Sequence, residues 1–321
     1  MSCAVVLDPR LPLDVERMIF ELAVSQHGMK ASTQLVLIAK RVREWMLPLM
    51  FRVVNQIWPS RSPGHRLIDV PELLQSRGPL VQHLMIDDYS VNGSFQTVLS
   101  SCPNICNLAI YLPKSYSERK LYNLSPILQG MKKLTRLSAS LPEASYVDIL
   151  IQPPHFSNLT HLEMFLASWE ERWGVLTKFP KLTHVSVEGN MRAHEIVKLL
   201  DDCRHLELLI VVPLSGYFHA PQSERDALHA VEDNRLVFLE PLHYVDVLFD
   251  WEKGAHGGLD SWVFAELVIV ARARGYFLTR LPNCIPRSFD DWETNLNEEG
   301  RQWFFELQLK DQLKGAKCEL L

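Results

Sequence analysis

The chain has 321 residues, 47% of them apolar and 22% charged, with a formal net charge of -5. That balance is the balance of a globular protein long enough for two modules or one elongated repeat array. Sparse glycine (14) and proline (19) exclude low-complexity and collagen-like chains, and Lys+Arg 33 against Asp+Glu 38 leaves no basic excess for nucleic-acid phosphates.

The opening MSCAVVLDPR lacks a basic stretch and its apolar run ends at Asp8, which is not the pattern of a secretory signal. The apolar run Val263 to Ala271 is interrupted by Glu266 and is too short to cross a bilayer. A cytoplasmic or nuclear protein is expected. No CxxC pair and no Cys/His zinc-finger spacing occurs, so the six cysteines are expected to be free thiols.

The first element opens at Leu11-Pro12-Leu13-Asp14, with proline and acidic residues suiting a helix N-terminus. Val15, Met18, Ile19 and Leu22 form its apolar stripe, with Phe20 beside it, and Gln26-His27-Gly28 should stop it. A second helix is predicted from about Thr33 through Val36, Leu37 and Ala39 to Trp45, broken at Pro48, with Leu49 to Val54 extended. The run LPLDVERMIFELA…LVLIAKRVREWMLPLMFRVV resembles an F-box, the short helical module that docks onto the Skp adaptor of cullin–RING ubiquitin ligases. The resemblance covers Leu11 to Val54 and implies adaptor contact through Leu11, Pro12, Ile19, Phe20, Val36, Leu37 and Trp45. The competing reading is a plain N-terminal cap for a repeat array. Exposure discriminates the two: a cap buries Ile19, Phe20, Val36 and Leu37, whereas a docking module leaves an apolar patch on the surface.

Six segments then share one pattern of apolar spacing: Val81-Leu84-Ile86, Ile105-Leu108-Ile110, Leu134-Leu137-Ala139, Leu159-Leu162-Met164, Leu182-Val185-Val187 and Leu206-Leu209-Val211. One such match is weak; six in tandem are strong. Cys102, Met131, Phe156, Phe179 and Cys203 recur three residues before the first apolar position. Phe95-Val98-Leu99, Leu121-Leu124-Ile127-Leu128 and Glu195 to Leu200 carry helical spacing between the strands. The segments resemble leucine-rich repeats of the longer kind, with a helix on the convex side. The fold class implied is α/β: a right-handed leucine-rich-repeat-like solenoid, parallel strands inside and helices outside, preceded by the F-box-like module.

Alternation assigns His83, Met85, Asp87, Asn107, Ala109, Tyr111, Arg136, Ser138, Ser140, His161, Glu163, Phe165, His184, Ser186 and Glu188 to the concave wall. At the last strand that wall is wholly apolar (Leu208, Ile210, Val212), so the segment after it is its natural cover. That segment repeats itself: Asp250-Trp251-Glu252 with Trp262 and Glu266, then Asp291-Trp292-Glu293 with Trp303 and Glu306. The tryptophans should bury area against a neighbour rather than form a ligand cage. Gly254 and Gly257-Gly258 suit a turn before a helix from Leu259 to Arg274, and 307–321 should fray.

Phosphate-loop, zinc-protease and serine-hydrolase motifs do not occur. His161 and His184 fall at one position of adjacent strands, with Glu163 and Glu188 pointing the same way. Such a set could hold zinc or do acid–base work, but an exposed polar slot recurs in any repeat array, and polar contact with a protein partner is the reading adopted. No cofactor, metal or catalytic residue is assigned.

The expected organisation is a helical module or cap over 1–54, degenerate repeats over 55–240 and a Trp-rich helical cap over 241–321. The layout resembles the F-box-like leucine-rich-repeat proteins abundant in basidiomycete fungi. It implies a non-catalytic substrate receptor of a Skp–cullin–F-box ligase, binding a target protein through Tyr111, Arg136, His161, Glu163, Phe165, His184 and Glu188. The alternative is a repeat scaffold binding a protein or peptide with no ligase role. Neither membrane nor nucleic acid is an expected partner.

Overall fold

The computed structural model describes residues 11–57, 71–87, 95–111, 125–140, 156–165, 173–213, 222–278, 285 and 293–307. The chain forms two compact units, Met1–Arg52 with Gln302–Leu321, and Val53–Arg301.

The first unit holds α1 (Leu13–Leu35) and α2 (Lys40–Met50). The expected stop at Gln26 to Gly28 does not occur. A single glycine costs a helix only about 1 kcal/mol, which the turns on either side offset. The break comes instead at Val36–Ile38, where the Leu37 and Ile38 N–H groups donate to the Gln34 and Leu35 carbonyls, both at 3.1 Å. Ala39, expected in mid-helix, is extended (φ -156, ψ 153) and precedes α2. Pro48 does not break α2 but lies within its last turn, where few further hydrogen bonds are at stake. Glu16 and Arg41 join the two helices, Nη2 to Oε1 at 2.6 Å, and the Phe20 and Trp45 rings lie 6.5 Å apart.

In the second unit eight parallel strands form one sheet in strict chain order: β1 (Val53–Asn55), β2 (His83–Asp87), β3 (Asn107–Tyr111), β4 (Arg136–Ser140), β5 (His161–Phe165), β6 (His184–Glu188), β7 (Leu208–Val212) and β8 (Leu236–Phe238). Register follows the repeat spacing without a slip, so His83, Asn107, Arg136, His161, His184 and Leu208 make one row across six strands. All six apolar triplets are buried, as are Cys102, Met131, Phe156, Phe179 and Cys203. Each fully buried Leu or Ile contributes about 1.5–3 kcal/mol, and the columns stack so that every repeat shares its apolar side with the next. This is an α/β solenoid of leucine-rich-repeat-like architecture, with parallel strands in chain order and helices between them.

Two strands escape the repeat pattern, and each has a local reason. Pairing of Val54 with Leu84 puts Phe51, Val54 and Gln56 in the triplet positions of β1; pairing of Leu209 with Leu236 puts Asp233, Leu236 and Phe238 in those of β8. One polar residue breaks each match. Gln56 is buried and donates from Nε2 to the Asn55 carbonyl at 3.3 Å, and Asp233 binds Arg235 at 2.7 Å.

Between the strands lie α3 (Pro71–Arg77), α4 (Phe95–Ser101), α5 (Ser125–Gly130), a 3-10 turn (Trp173–Lys178), α6 (Ala193–Asp202) and α7 (Gln222–His229). In α6 the predicted stripe is the buried one: Ile196, Leu199 and Leu200. Leu121 and Leu124 lie outside the described residues.

After β8 the chain forms α8 (Tyr244–Ala255) and α9 (Ser261–Ala273) within the same unit as the sheet. Gly254 belongs to α8, and the turn is made at Gly257 (φ 81). Helix α8 reaches β1, and α9 reaches β7 and β8. Residues Asp291, Trp292 and 308–321 lie outside the described residues. No helix among the described residues is long and apolar enough to cross a membrane.

Candidate functional site

The site is built on the second face of the sheet, opposite the apolar triplets. Each strand from β2 to β7 offers three positions there, and three rows result. The first row is covered by the start of α9. Asp260 caps that helix, accepting from the Val263 N–H at 3.0 Å, while its other oxygen accepts from Arg136 Nη1 at 3.2 Å. Trp262 meets His161 edge to face at 5.1 Å and His184 at 6.1 Å. Glu266, one turn further, sits 2.9 Å from His184 Nε2. Trp262 and Glu266 are four apart and therefore share the face of α9 turned to the strands.

The two imidazoles stack at 4.2 Å with their planes 16° apart. Their geometry comes from the residues before them. A ladder of side chains at the strand entrances donates to the preceding repeat: Cys106 Sγ to the Gln82 carbonyl at 3.3 Å, Thr135 Oγ1 to the Cys106 carbonyl at 3.0 Å, Thr160 Oγ1 to the Thr135 carbonyl at 3.0 Å. Thr160 Oγ1 also meets His161 Nδ1 at 2.8 Å, and Thr183 Oγ1 meets His184 Nδ1 at 2.7 Å. Burial, with Arg136 and His184 nearby, drives the His161 pKa down to about 3, so this ring is neutral at physiological pH. Desolvation pushes the Asp260 carboxyl up against the opposing pull of the Val263 N–H and Arg136.

In the middle row, Met85 and Ala109 are buried with Ile57 and Leu248 of α8, and Tyr111 and Trp251 pack against them. Ser138 Oγ donates to Glu163 Oε2 at 2.6 Å, and Tyr111 Oη lies 3.4 Å from Ser138 Oγ. A small pocket remains between these groups and Trp251, whose buried Nε1 has no hydrogen-bond partner among the described residues. The third row, at the strand ends, carries Tyr111, Phe165 and Glu188, all half-buried, with the Tyr111 and Phe165 rings 5.4 Å apart.

The expectation of an open wall is therefore corrected in part. His184 is buried, and Arg136 and His161 meet side chains of the chain's own α9 rather than presenting themselves to a partner. Glu163 is bonded to Ser138, and it is Glu266, not Glu163 or Glu188, that joins the histidine pair. Asp260, Trp262 and Glu266 are the site residues that strand periodicity missed. One signal pointed to Glu266: it is the lone charge in the run Val263 to Ala271.

On the first unit, the residues expected to meet an adaptor divide. Leu11, Pro12, Ile19 and Leu37 are exposed, while Phe20, Val36 and Trp45 are half-buried. Leu13, Val15, Met18 and Ile38 are exposed as well, so the apolar stripe of α1 and the turn after it face solvent.

No family model matches the chain, and no curated protein matches it. Among solved structures it is similar to the leucine-rich repeat-containing protein LegL7 from Legionella pneumophila, at 14% identity and a TM-score of 0.37, over 71% of this chain and 80% of that one. A likeness that slight carries no argument, and the repeat architecture rests on the strand register itself.

Proposed function

We propose that the chain is a non-catalytic protein-interaction scaffold that docks a Skp-type adaptor through α1 and the turn before α2, as an F-box-like substrate receptor of a cullin–RING ligase. One observation carries this reading: Leu37 is 83% exposed, Ile38 61%, Leu13 55% and Ile19 50%. Leaving that many large apolar side chains in water is unfavourable for a mere cap and suits a surface completed by a partner. Target recognition is assigned to the third row, Tyr111, Phe165 and Glu188, because the first row is engaged by α9. A cytoplasmic or nuclear setting, and a fungal one, belong to the same proposal.

The test is capture by a purified Skp-type adaptor. Ile19→Ala with Leu37→Ala is expected to weaken capture at least tenfold, about 1.4 kcal/mol, with no loss of thermal stability, because both side chains are exposed. A folded wild-type chain that captures no adaptor ends the ligase reading. A second reading keeps the scaffold and drops the ligase; the passage of α1 through Gly28, where the resemblance implies separate short helices, favours it. In that case the double variant loses a different partner and the adaptor is never bound.

A further inference from the structure

We propose that His161, His184 and Glu266 form a zinc site that ties α9 to β5 and β6. The inference is independent of the adaptor reading. One ligand atom from each of the three side chains lies within 4.8 Å of the other two. Two imidazoles and one carboxylate make a common zinc set, with water in the fourth place. Tetrahedral zinc with bonds near 2.05 Å needs ligand atoms about 3.3 Å apart, so closure by up to about 1.5 Å is required. Glu266 already lies 2.9 Å from His184 Nε2, so the closure falls on the stacked imidazoles, whose rings turn their Nε2 atoms toward the ion, with half-exposed Glu266 adjusting to them.

The neighbours prepare the ligands. Thr160 gives its one hydroxyl proton to the Thr135 carbonyl, so its oxygen accepts from His161 Nδ1–H and leaves Nε2 as the lone-pair nitrogen. That nitrogen has no hydrogen-bond partner among the described residues. A fixed Nδ1 partner is what metal-bound histidines ordinarily have. His184 shares the arrangement, with Thr183 at Nδ1 and Glu266 at Nε2. Zinc would replace the direct contact between His184 Nε2 and the Glu266 carboxylate, now 2.9 Å apart. The nearby Arg136 guanidinium is paired with Asp260 at 3.2 Å. Trp262 packs edge-on against both rings.

The experiment uses the full chain, stripped with a chelator and titrated with zinc alone, then with cobalt as the spectroscopic probe. The wild type is expected to bind one zinc more than His161→Ala/Glu266→Gln does, to show four-coordinate cobalt absorption that the double variant lacks, and to melt about 3–6 °C higher at zinc a hundredfold above Kd. Thr160→Val should weaken zinc binding about 10–100-fold by freeing the ring it orients. Glu266→Gln alone guards against misfolding, because the residue is half exposed: a folded Glu266→Gln chain should bind zinc at least tenfold more weakly. Equal stoichiometry and affinity in wild type and both Glu266 variants, or only six-coordinate cobalt spectra, overturn the site.

Discussion

Cys102 and Cys203 occupy one repeating slot in front of the strands, and the slot is dry. Burial pushes the Cys102 thiol up to about 12 and, with Asp202 nearby, the Cys203 thiol up to about 11. At pH 8 roughly one Cys102 in ten thousand is a thiolate, so alkylation of the native protein should leave both residues unmodified while half-exposed Cys106 reacts. Peptide mapping after native and denatured labelling checks this, and native modification of Cys102 contradicts it. The same shifts have a sign for stability. The folded state holds these protons more tightly than the unfolded one, whose thiols titrate near 9.0, so stability is full below that pH and falls as pH rises toward 12. Both slots were legible in the sequence, because three aromatic or methionine side chains share the column with the cysteines.

Helix α9 depends on its N-cap residue more than on its apolar run. Asp260 caps it, takes the Arg136 guanidinium from β4 and stands close over Gly254 of α8. A Cβ at Gly254 would run into the Asp260 carboxylate itself, so Gly254→Ala must displace the cap and the ion pair together. The expected cost is about 1–3 kcal/mol, read as a lower urea midpoint with unchanged slope. Gly257→Ala probes a different mechanism: it meets no neighbour and costs only its left-handed φ of 81. The two glycines look alike in the sequence, where both suited a turn. Their separate roles emerge only from the crossing of α8 and the loop before α9, residues brought together by packing.

In the second unit, one face of the sheet packs against the repeat helices, and part of the other is covered by α8 and α9. Met85, Leu208, Ile210 and Val212 are buried on that second face although no apolar triplet includes them. A chain ending at Glu240 is expected to expose them, to bind a hydrophobic dye and to self-associate in gel filtration. A monomeric, dye-silent fragment would show that α8 and α9 are dispensable. The periodic part of this architecture was written in the sequence: strand order, register, the buried columns and even the need for a cover over Leu208, Ile210 and Val212 follow from spacing, because each repeat contacts only its neighbours and a local pattern is then enough. Which side chains of that cover meet which strand residues was settled by tertiary structure alone. Arg136 meets Asp260 across 124 residues and His184 meets Glu266 across 82, distances over which no periodicity links the partners. Local spacing specifies which side chains point outward; only the return of the chain over the sheet specifies what they meet there.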